Sequence, residues 1–96
     1  MTNKTVVARI HASSEHSASV ENSLKKLAQE VLDKEPGVLG YSLHQDNELP
    51  NLYMMIELYE NEDAFQYHLN TDHLKVFQKE TDGKLEELSW RELTPV

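Results

Sequence analysis

The chain has 96 residues, no cysteine and a formal net charge of −8 at pH 7, so we expect one domain over residues 1–96 with a core at about residues 5–94. Without cysteine there is no disulfide framework, thiolate ligand or thiolate nucleophile, and a reducing, cytoplasmic location is expected. The acidic charge offers no basic face to nucleic acid, and no apolar run reaches the ~18 residues of a membrane-spanning helix.

The first half of the chain predicts a strand, a helix and a second strand. Residues Lys4–Ala12 alternate between two faces, which is typical of a strand. A helix follows, and Ser17 or Ser19 is its expected N-cap, because a serine hydroxyl can accept a free backbone N–H there. Apolar residues then recur at helical spacing until Pro36 ends the helix. Residues Val38–Gln45 predict the second strand.

The second half predicts a strand, an interrupted helix and a last strand. Residues 52–60 form the third strand, and its apolar residues on both faces place it at the centre of a sheet. Asn61 is expected to cap the next helix, which the polar residues 70–72 interrupt. After a turn at residues 81–83, the segment Leu85–Leu93 predicts the last strand.

The order β-α-β-β-α-β predicts an α+β fold of the ferredoxin-like class, with a four-stranded antiparallel sheet and the helices on one face. The opposite face is then bare. It carries either Val7, Tyr53, Met55 and Tyr59 or their neighbours of opposite parity. A bare apolar sheet face is a partner site. We therefore expect a homodimer that pairs through the sheets as a dimeric α/β barrel.

Ionisable residues in the third strand and the helix after it form the candidate site. His68 lies on the inward stripe with Phe65, so its imidazole is expected to be partly desolvated, and its pKa suits a general base. Glu57 is expected to reach His68 from the strand and to fix its tautomer. The break at residues 70–72 can turn His73 toward the same pocket.

Each of these residues also has a purely structural interpretation. Glu57 and His68 can be a buried pair that ties the strand to the helix. His73 can be a surface residue in the first turn of a helix. Arg9 either faces an anionic substrate or pairs with an acid such as Glu57, and Asn61 either donates to a substrate or only caps the helix.

A metal site is not expected. Glu57, His68 and His73 are ligand types that a two-histidine-one-carboxylate centre uses. However, the two histidines are five residues apart, and the spacing that puts two histidines on one helical face is absent. We therefore predict a site without metal or other cofactor.

The segment at residues 57–73, ELYENEDAFQYHLNTDH, resembles the signature of the antibiotic biosynthesis monooxygenase (ABM) family. The pattern is an acid on a strand, an aromatic two residues later, Ala-Phe in the next helix, a histidine, a polar break and a second histidine. The Glu-Pro-Gly at residues 35–37 is similar to a family segment between the first helix and the second strand. Tyr59 departs from the pattern, because the family often has tryptophan at that position.

The resemblance implies a dimeric ferredoxin-like protein with a pocket between sheet and helices. It also implies oxygenation of a small aromatic, phenolic or quinol-type substrate by O2 without flavin, haem or metal. The candidate catalytic residues are then Glu57, His68 and His73. The candidate substrate contacts are Arg9, Tyr59, Asn61, Phe65 and Phe77.

Two other functions remain open at this point. The first is a non-catalytic dimer that binds a small hydrophobic or signalling molecule in the same pocket. The second is an isomerase of a phosphorylated signalling sugar, which needs a cationic phosphate site, and its candidates are Arg9, Lys75 and Lys79. Haem degradation, which similar proteins carry out, is disfavoured because the only tryptophan, Trp90, lies in the last predicted strand.

Overall fold

The computed structural model describes residues 2–96 and confirms the predicted order of elements. The strands are β1 (Lys4–Ala12), β2 (Val38–Gln45), β3 (Leu52–Tyr59) and β4 (Leu85–Leu93). The helices are α1 (Ser17–Lys34), α2 (Glu62–Leu69) and α3 (Asp72–Glu80), with a 3₁₀ turn at Ser14–His16 before α1. Among these residues, no helix is both long and apolar enough to cross a membrane.

The four strands form one antiparallel sheet in the order β2-β3-β1-β4. Each of β1 and β3 has a neighbour on both sides, while β2 and β4 are the edges. The helices cover one face of this sheet. The predicted α+β, ferredoxin-like architecture is therefore confirmed.

Helix α1 packs on the sheet through a buried stripe, Val20, Leu24, Leu27 and Val31. The predicted serine cap is wrong, because the N-cap position is His16 and its side chain makes no capping bond. The 3₁₀ turn runs directly into the helix, and the Ser17 hydroxyl lies 3.1 Å from the Tyr53 hydroxyl instead. Before Pro36, the backbone N–H of Glu35 still donates to the Val31 carbonyl, so the chain leaves α1 at a fixed angle.

The interruption between α2 and α3 is confirmed, and each helix has its own cap. Asn61 Oδ1 accepts the N–H of Ala64 at 2.9 Å, and Thr71 Oγ1 accepts the N–H of Leu74 at 3.4 Å. Thr71 also donates its hydroxyl to the His68 carbonyl at 2.9 Å. Because α3 is a separate helix with its own N-cap, His73 points toward the interior, whereas a continuous α2 would place it on the surface.

The register of β1 and β3 decides which sheet face the helices cover. Val6 pairs with Glu57, and Ile10 pairs with Tyr53; all four are buried. The residues that lie between them on β3 point to the open face. These are the wholly apolar set of Leu52, Met54, Ile56 and Leu58, of which Ile56 and Leu58 are 38% and 42% exposed. The covered face of β3 is thus the one that carries the carboxylate.

Candidate functional site

A mostly apolar cavity of about 120 Å³ lies between the covered face of the sheet and the helices. Its floor comes from β1 and β3, and its roof from α1, α2 and α3. The lining residues that carry chemistry are Tyr41, Glu57, His68 and Trp90. Its exposed lining residues, Leu69, Gln78, Leu88 and Trp90, mark an opening between the α2–α3 segment and β4.

Three buried side chains, Glu35, His68 and His73, meet above this cavity. The Glu35 carboxylate accepts from His68 Nδ1, with Oε2 at 3.0 Å and Oε1 at 3.2 Å. The same Oε2 lies 2.5 Å from His73 Nε2. Side-chain exposure is 1% for Glu35, 4% for His68 and 7% for His73. One carboxylate from the end of α1 therefore holds one ring from α2 and one from α3.

Glu57 is the second carboxylate of the site, and it contacts a tyrosine rather than a histidine. The Tyr59 hydroxyl donates to Glu57 Oε1 at 2.6 Å. Burial raises the pKa of Glu57 to about 7, although the Tyr59 hydroxyl and the nearby His68 oppose that shift. At neutral pH this carboxyl group can therefore either accept or donate a hydrogen bond in the cavity.

Two tyrosines pack against the ring of His68. The ring centroids of Tyr41 and Tyr59 lie 5.4 and 5.6 Å from that of His68. Burial, with the negative charge of Glu57, raises the pKa of both phenols, so both hydroxyls stay neutral. His68 is thus enclosed by aromatic rings, and its Nδ1 is occupied by Glu35. Nε2 is the nitrogen left available to a molecule in the cavity.

The structure brings Glu57 and His68 to the same side of the sheet, and both are buried. This placement agrees with the sequence-based prediction. The predicted contact between them is wrong: Glu35 holds His68 instead, because it lies at the C-terminal end of α1 directly opposite α2. His73 is buried rather than at the surface, and its partner is Glu35 as well.

The predicted substrate contacts divide into two groups. Phe65 and Phe77 line the cavity. Tyr59 lies behind it, in the buried cluster with Phe65. Asn61 does not line it, and its side-chain oxygen is used to cap α2.

The position of Arg9 corrects the prediction that this residue contacts the substrate. It lies on the open face of β1, where its Nε donates to Glu87 Oε1 at 2.9 Å. The expected pairing with an acid is present, but the acid is Glu87 and not Glu57, because neighbouring residues on a strand face opposite ways and Glu57 lies on the covered face. Arg9 therefore cannot serve an anion in the cavity.

Glu35 is the site residue that the sequence reasoning missed. The sequence signal for it is weak: an acid directly after a helix is unfavourable next to the negative end of the helix dipole. The exposed Asp33 in the last turn of α1 shows that such an acid needs no buried partner. The partners of Glu35 are two imidazole rings.

The same three residues are the metal-ligand types of a two-histidine-one-carboxylate centre, and their ligand atoms lie within 4.8 Å of one another. However, Oε2 of Glu35 and Nε2 of His73 are 2.5 Å apart. Ligands ~2.1 Å from a tetrahedral zinc ion lie roughly 3.4 Å from each other. In this arrangement the two atoms form a direct hydrogen bond, and their side chains would have to move apart to ligate one ion.

A family model described as "antibiotic biosynthesis monooxygenase" matches residues 4–80 of the chain. A search of curated proteins gave no match. Among solved structures, the chain is similar to PA3566 from Pseudomonas aeruginosa, with 30% identity, a TM-score of 0.93 and coverage of 100% of this chain and 96% of that one.

Two further structures carry the family name provisionally. The Caulobacter crescentus protein is 27% identical, with a TM-score of 0.93, and 99% of this chain matches 91% of that one. The protein from Bacteroides thetaiotaomicron is 28% identical, with a TM-score of 0.90, and 98% of this chain matches 90% of that one. The family match covers both site helices, the strand that carries Glu57 and the segment that carries Glu35. The chain therefore belongs to the antibiotic biosynthesis monooxygenase family.

Proposed function

We propose that the protein is a cofactor-independent monooxygenase that uses O2 to oxidise a small phenolic or quinol-type substrate. The observation that carries this proposal is the position of His68, which is buried in the wall of an apolar cavity with Nδ1 bound to a carboxylate and Nε2 free. This arrangement provides a base where water is scarce. The protein acts in the cytoplasm in this proposal.

The cavity suits an electron-rich aromatic ring. Its volume, about 120 Å³, is close to the ~150 Å³ of an apolar cavity that holds benzene. Aliphatic and aromatic side chains provide most of the wall, so the ring is bound by burial of apolar surface. A single-ring phenol or quinol fits this space better than a fused polycyclic molecule.

The chemistry needs a base because O2 reacts slowly with closed-shell molecules. His68 Nε2 takes the proton of the substrate hydroxyl, and the resulting phenolate gives one electron to O2. The two radicals combine, one oxygen atom stays in the product and the other leaves as water. For a quinol the balance is quinol plus O2 to hydroxyquinone plus water, so no external reductant is required.

Glu57 and His73 support this step. In its protonated form, which the raised pKa makes accessible at neutral pH, Glu57 donates a hydrogen bond to the phenolate oxygen. Tyr59 orients that carboxyl group from behind. His73 acts from the far side of Glu35 and does not line the cavity.

The proposal includes a homodimer that pairs through the open sheet face. That face carries the apolar side chains of Met54, Ile56 and Leu58 next to Val7 of β1. Pairing of two such faces removes their apolar surface from water, as expected for a small domain with a limited core.

The experiment is O2 uptake with a panel of single-ring quinols, naphthoquinols and anthrones, for the wild type and for His68→Ala. The expected result is enzyme-dependent uptake with at least one single-ring quinol and a loss of at least ~100-fold in His68→Ala. The exposed His44 on β2 provides a matched control, because His44→Ala removes an imidazole outside the cavity. Equal rates in all three proteins contradict the proposal.

A second candidate is a dimer that binds a small apolar molecule without reaction. One observation favours it: among the described residues, no side-chain nitrogen or oxygen that is sealed from solvent lacks a hydrogen-bond partner, so the fold leaves no sealed polar atom that only a reaction would explain. Binding of a quinol without O2 uptake in the experiment above supports this candidate. The sugar-phosphate isomerase is disfavoured, because none of the cavity-lining residues is a lysine or arginine.

A further inference from the structure

Glu35 serves two histidines with one negative charge. It is the residue directly after α1, and its carboxylate is 1% exposed. His68 Nδ1 and His73 Nε2 both lie within hydrogen-bond distance of the same oxygen, Oε2. A carboxylate this deeply buried is stable as an anion only when its partners compensate the charge.

The two histidines do compensate it. Burial acts to raise the pKa of Glu35, but the hydrogen bonds and charges of His68 and His73 outweigh burial, and the pKa lies below its usual value. The ionised carboxylate can only accept hydrogen bonds. The Nδ1 atom of His68 must therefore carry a hydrogen, and in the neutral ring Nε2 then carries the lone pair.

The two rings reach different parts of the molecule. His68 lines the internal cavity. His73 lines a separate groove on the outer surface, together with Lys34, Thr71 and Asp72. Glu35 therefore connects a ring inside the cavity to a ring at the outer groove through one carboxylate oxygen.

We propose that Glu35 is the positioning residue that sets the tautomer of His68, and that His73 competes with His68 for the charge of this carboxylate. The proposal rests on the proposed function, in which His68 Nε2 accepts the substrate proton. When His73 is neutral, the full charge of Glu35 stabilises the imidazolium that forms at His68. When His73 is protonated, Glu35 is already neutralised, and His68 becomes a weaker base. The protonation state at the outer groove thereby tunes the base in the cavity.

Other charged and titratable groups surround the two rings, and the test must separate them from Glu35. Those packed against or facing the two rings are Tyr41 of β2, Glu57 and Tyr59 of β3, Glu30 and Lys34 of α1, and Asp72 of α3. Glu57 is the strongest alternative source of charge at His68, because it lines the same cavity.

The experiment is a pH titration of the ring nitrogens of His68 and His73 by ¹⁵N NMR, which needs no substrate. The proteins are the wild type, Glu35→Gln, His73→Gln and the control His44→Gln. Glutamine at position 73 keeps an N–H near the place of Nε2 but cannot be protonated. The neutral wild-type ring of His68 is expected to show the Nδ1–H tautomer.

In His73→Gln, the midpoint of the His68 titration is expected to rise by at least ~0.5 pH unit, because His73 no longer competes for the charge of Glu35. In Glu35→Gln it is expected to fall by ~1 unit or more. An unchanged His68 midpoint in His73→Gln, or an Nε2–H tautomer in the wild type, overturns the proposal. The tautomer is measured in the wild type, so it remains decisive if a variant fails to fold. A positive titration with no O2 uptake contradicts the monooxygenase and leaves the positioning role intact.

Discussion

Tyr59 donates its hydroxyl hydrogen to Glu57 Oε1 over 2.6 Å, and both residues project from the covered face of β3. The spacing of two along a strand puts the two side chains side by side. The tyrosine is fully buried and neutral, so it provides a fixed donor for a carboxyl group that would otherwise lack one. This pair sets the electrostatics of the cavity floor, while Glu35 and His68 set those of its roof.

The raised pKa of Glu57 predicts a pH-dependent contribution to stability. The folded-state pKa of about 7 lies above the ordinary value of 4.5 for a glutamate, so the folded protein holds this proton more tightly than the unfolded chain does. The stability from Glu57 is therefore fully present below pH ~4.5 and is lost as pH rises through ~7, by up to about 3 kcal/mol. Urea unfolding at several pH values, compared with Glu57→Gln, measures it.

The comparison isolates Glu57 from Glu35, whose lowered pKa acts in the opposite direction and is present in both proteins. The difference in unfolding free energy, wild type minus Glu57→Gln, should fall steadily from pH 4.5 to pH 7. The exposed Glu86 provides the control Glu86→Gln, for which a flat difference is expected. If the difference for Glu57→Gln also does not change with pH, the carboxyl group of Glu57 is not desolvated.

Removal of the Tyr59 hydroxyl tests its role as the donor to Glu57. In Tyr59→Phe the pKa of Glu57 should rise further, because the hydroxyl favours the ionised carboxylate. Stability should fall by about 1–2 kcal/mol at neutral pH, since a buried acceptor loses its partner. Titration of ¹³C-labelled glutamate carboxyl groups follows the first effect directly. A Glu57 midpoint that falls, or does not move, contradicts this role.

Gly37 predicts a steric coupling between the Glu35 segment and α2. A Cβ atom added at Gly37 lies 2.7 Å from the Cβ of Ala64, which is far too close. Gly37→Ala should therefore cost about 1–3 kcal/mol and push the Glu35 segment away from α2 and His68. Thermal unfolding measures the cost, and the His68 ring shifts report the displacement.

A second substitution tests the cause of that loss. Ala64→Gly removes the atom that the new methyl group meets, although a glycine inside a helix alone costs about 1 kcal/mol. The double variant should be no less stable than Gly37→Ala, so the two effects should not add. Additive losses show that the contact is not responsible.

The open sheet face predicts the effect of a charge on assembly. Ile56→Glu puts a carboxylate at the centre of the proposed interface, and burial of that unpaired charge should weaken the dimer by at least ~10-fold. Val76 on α3 is 42% exposed, close to the 38% of Ile56, so Val76→Glu is the matched control. Sedimentation velocity over a range of protein concentrations should show monomers only for Ile56→Glu. Identical sedimentation of both variants contradicts pairing through this face.

The strands could be predicted from sequence because their patterns are local. Lys4–Ala12 alternates cleanly, and the predicted bounds of β1, β2 and β4 agree with the structure. The covered face of β3 could not be predicted. Its apolar set points to the open face, and the buried set includes Glu57, so hydrophobicity alone ranks the two faces wrongly.

The site could be predicted only in part, for a related reason. His68 and Phe65 share the inward stripe of a helix, so local spacing places His68 inside, whereas the pattern of β3 does not show which way Glu57 points. The contact between Glu35 and His68 spans 33 residues and depends on the angle at which the chain leaves α1. No local periodicity encodes that angle, and a glutamate at a helix end does not reveal its partner.

The central claim is that the cavity removes a proton from a bound phenol through His68. The most direct measurement is the visible absorption of 4-nitrophenol, whose anion absorbs light that the neutral phenol does not, mixed with the protein at a pH below the phenol's own pKa. Anion absorption should rise in proportion to wild-type protein, and should be absent with His68→Ala at the same bound fraction. Equal anion absorption with both proteins, or bound phenol that stays neutral in the wild type, contradicts the account.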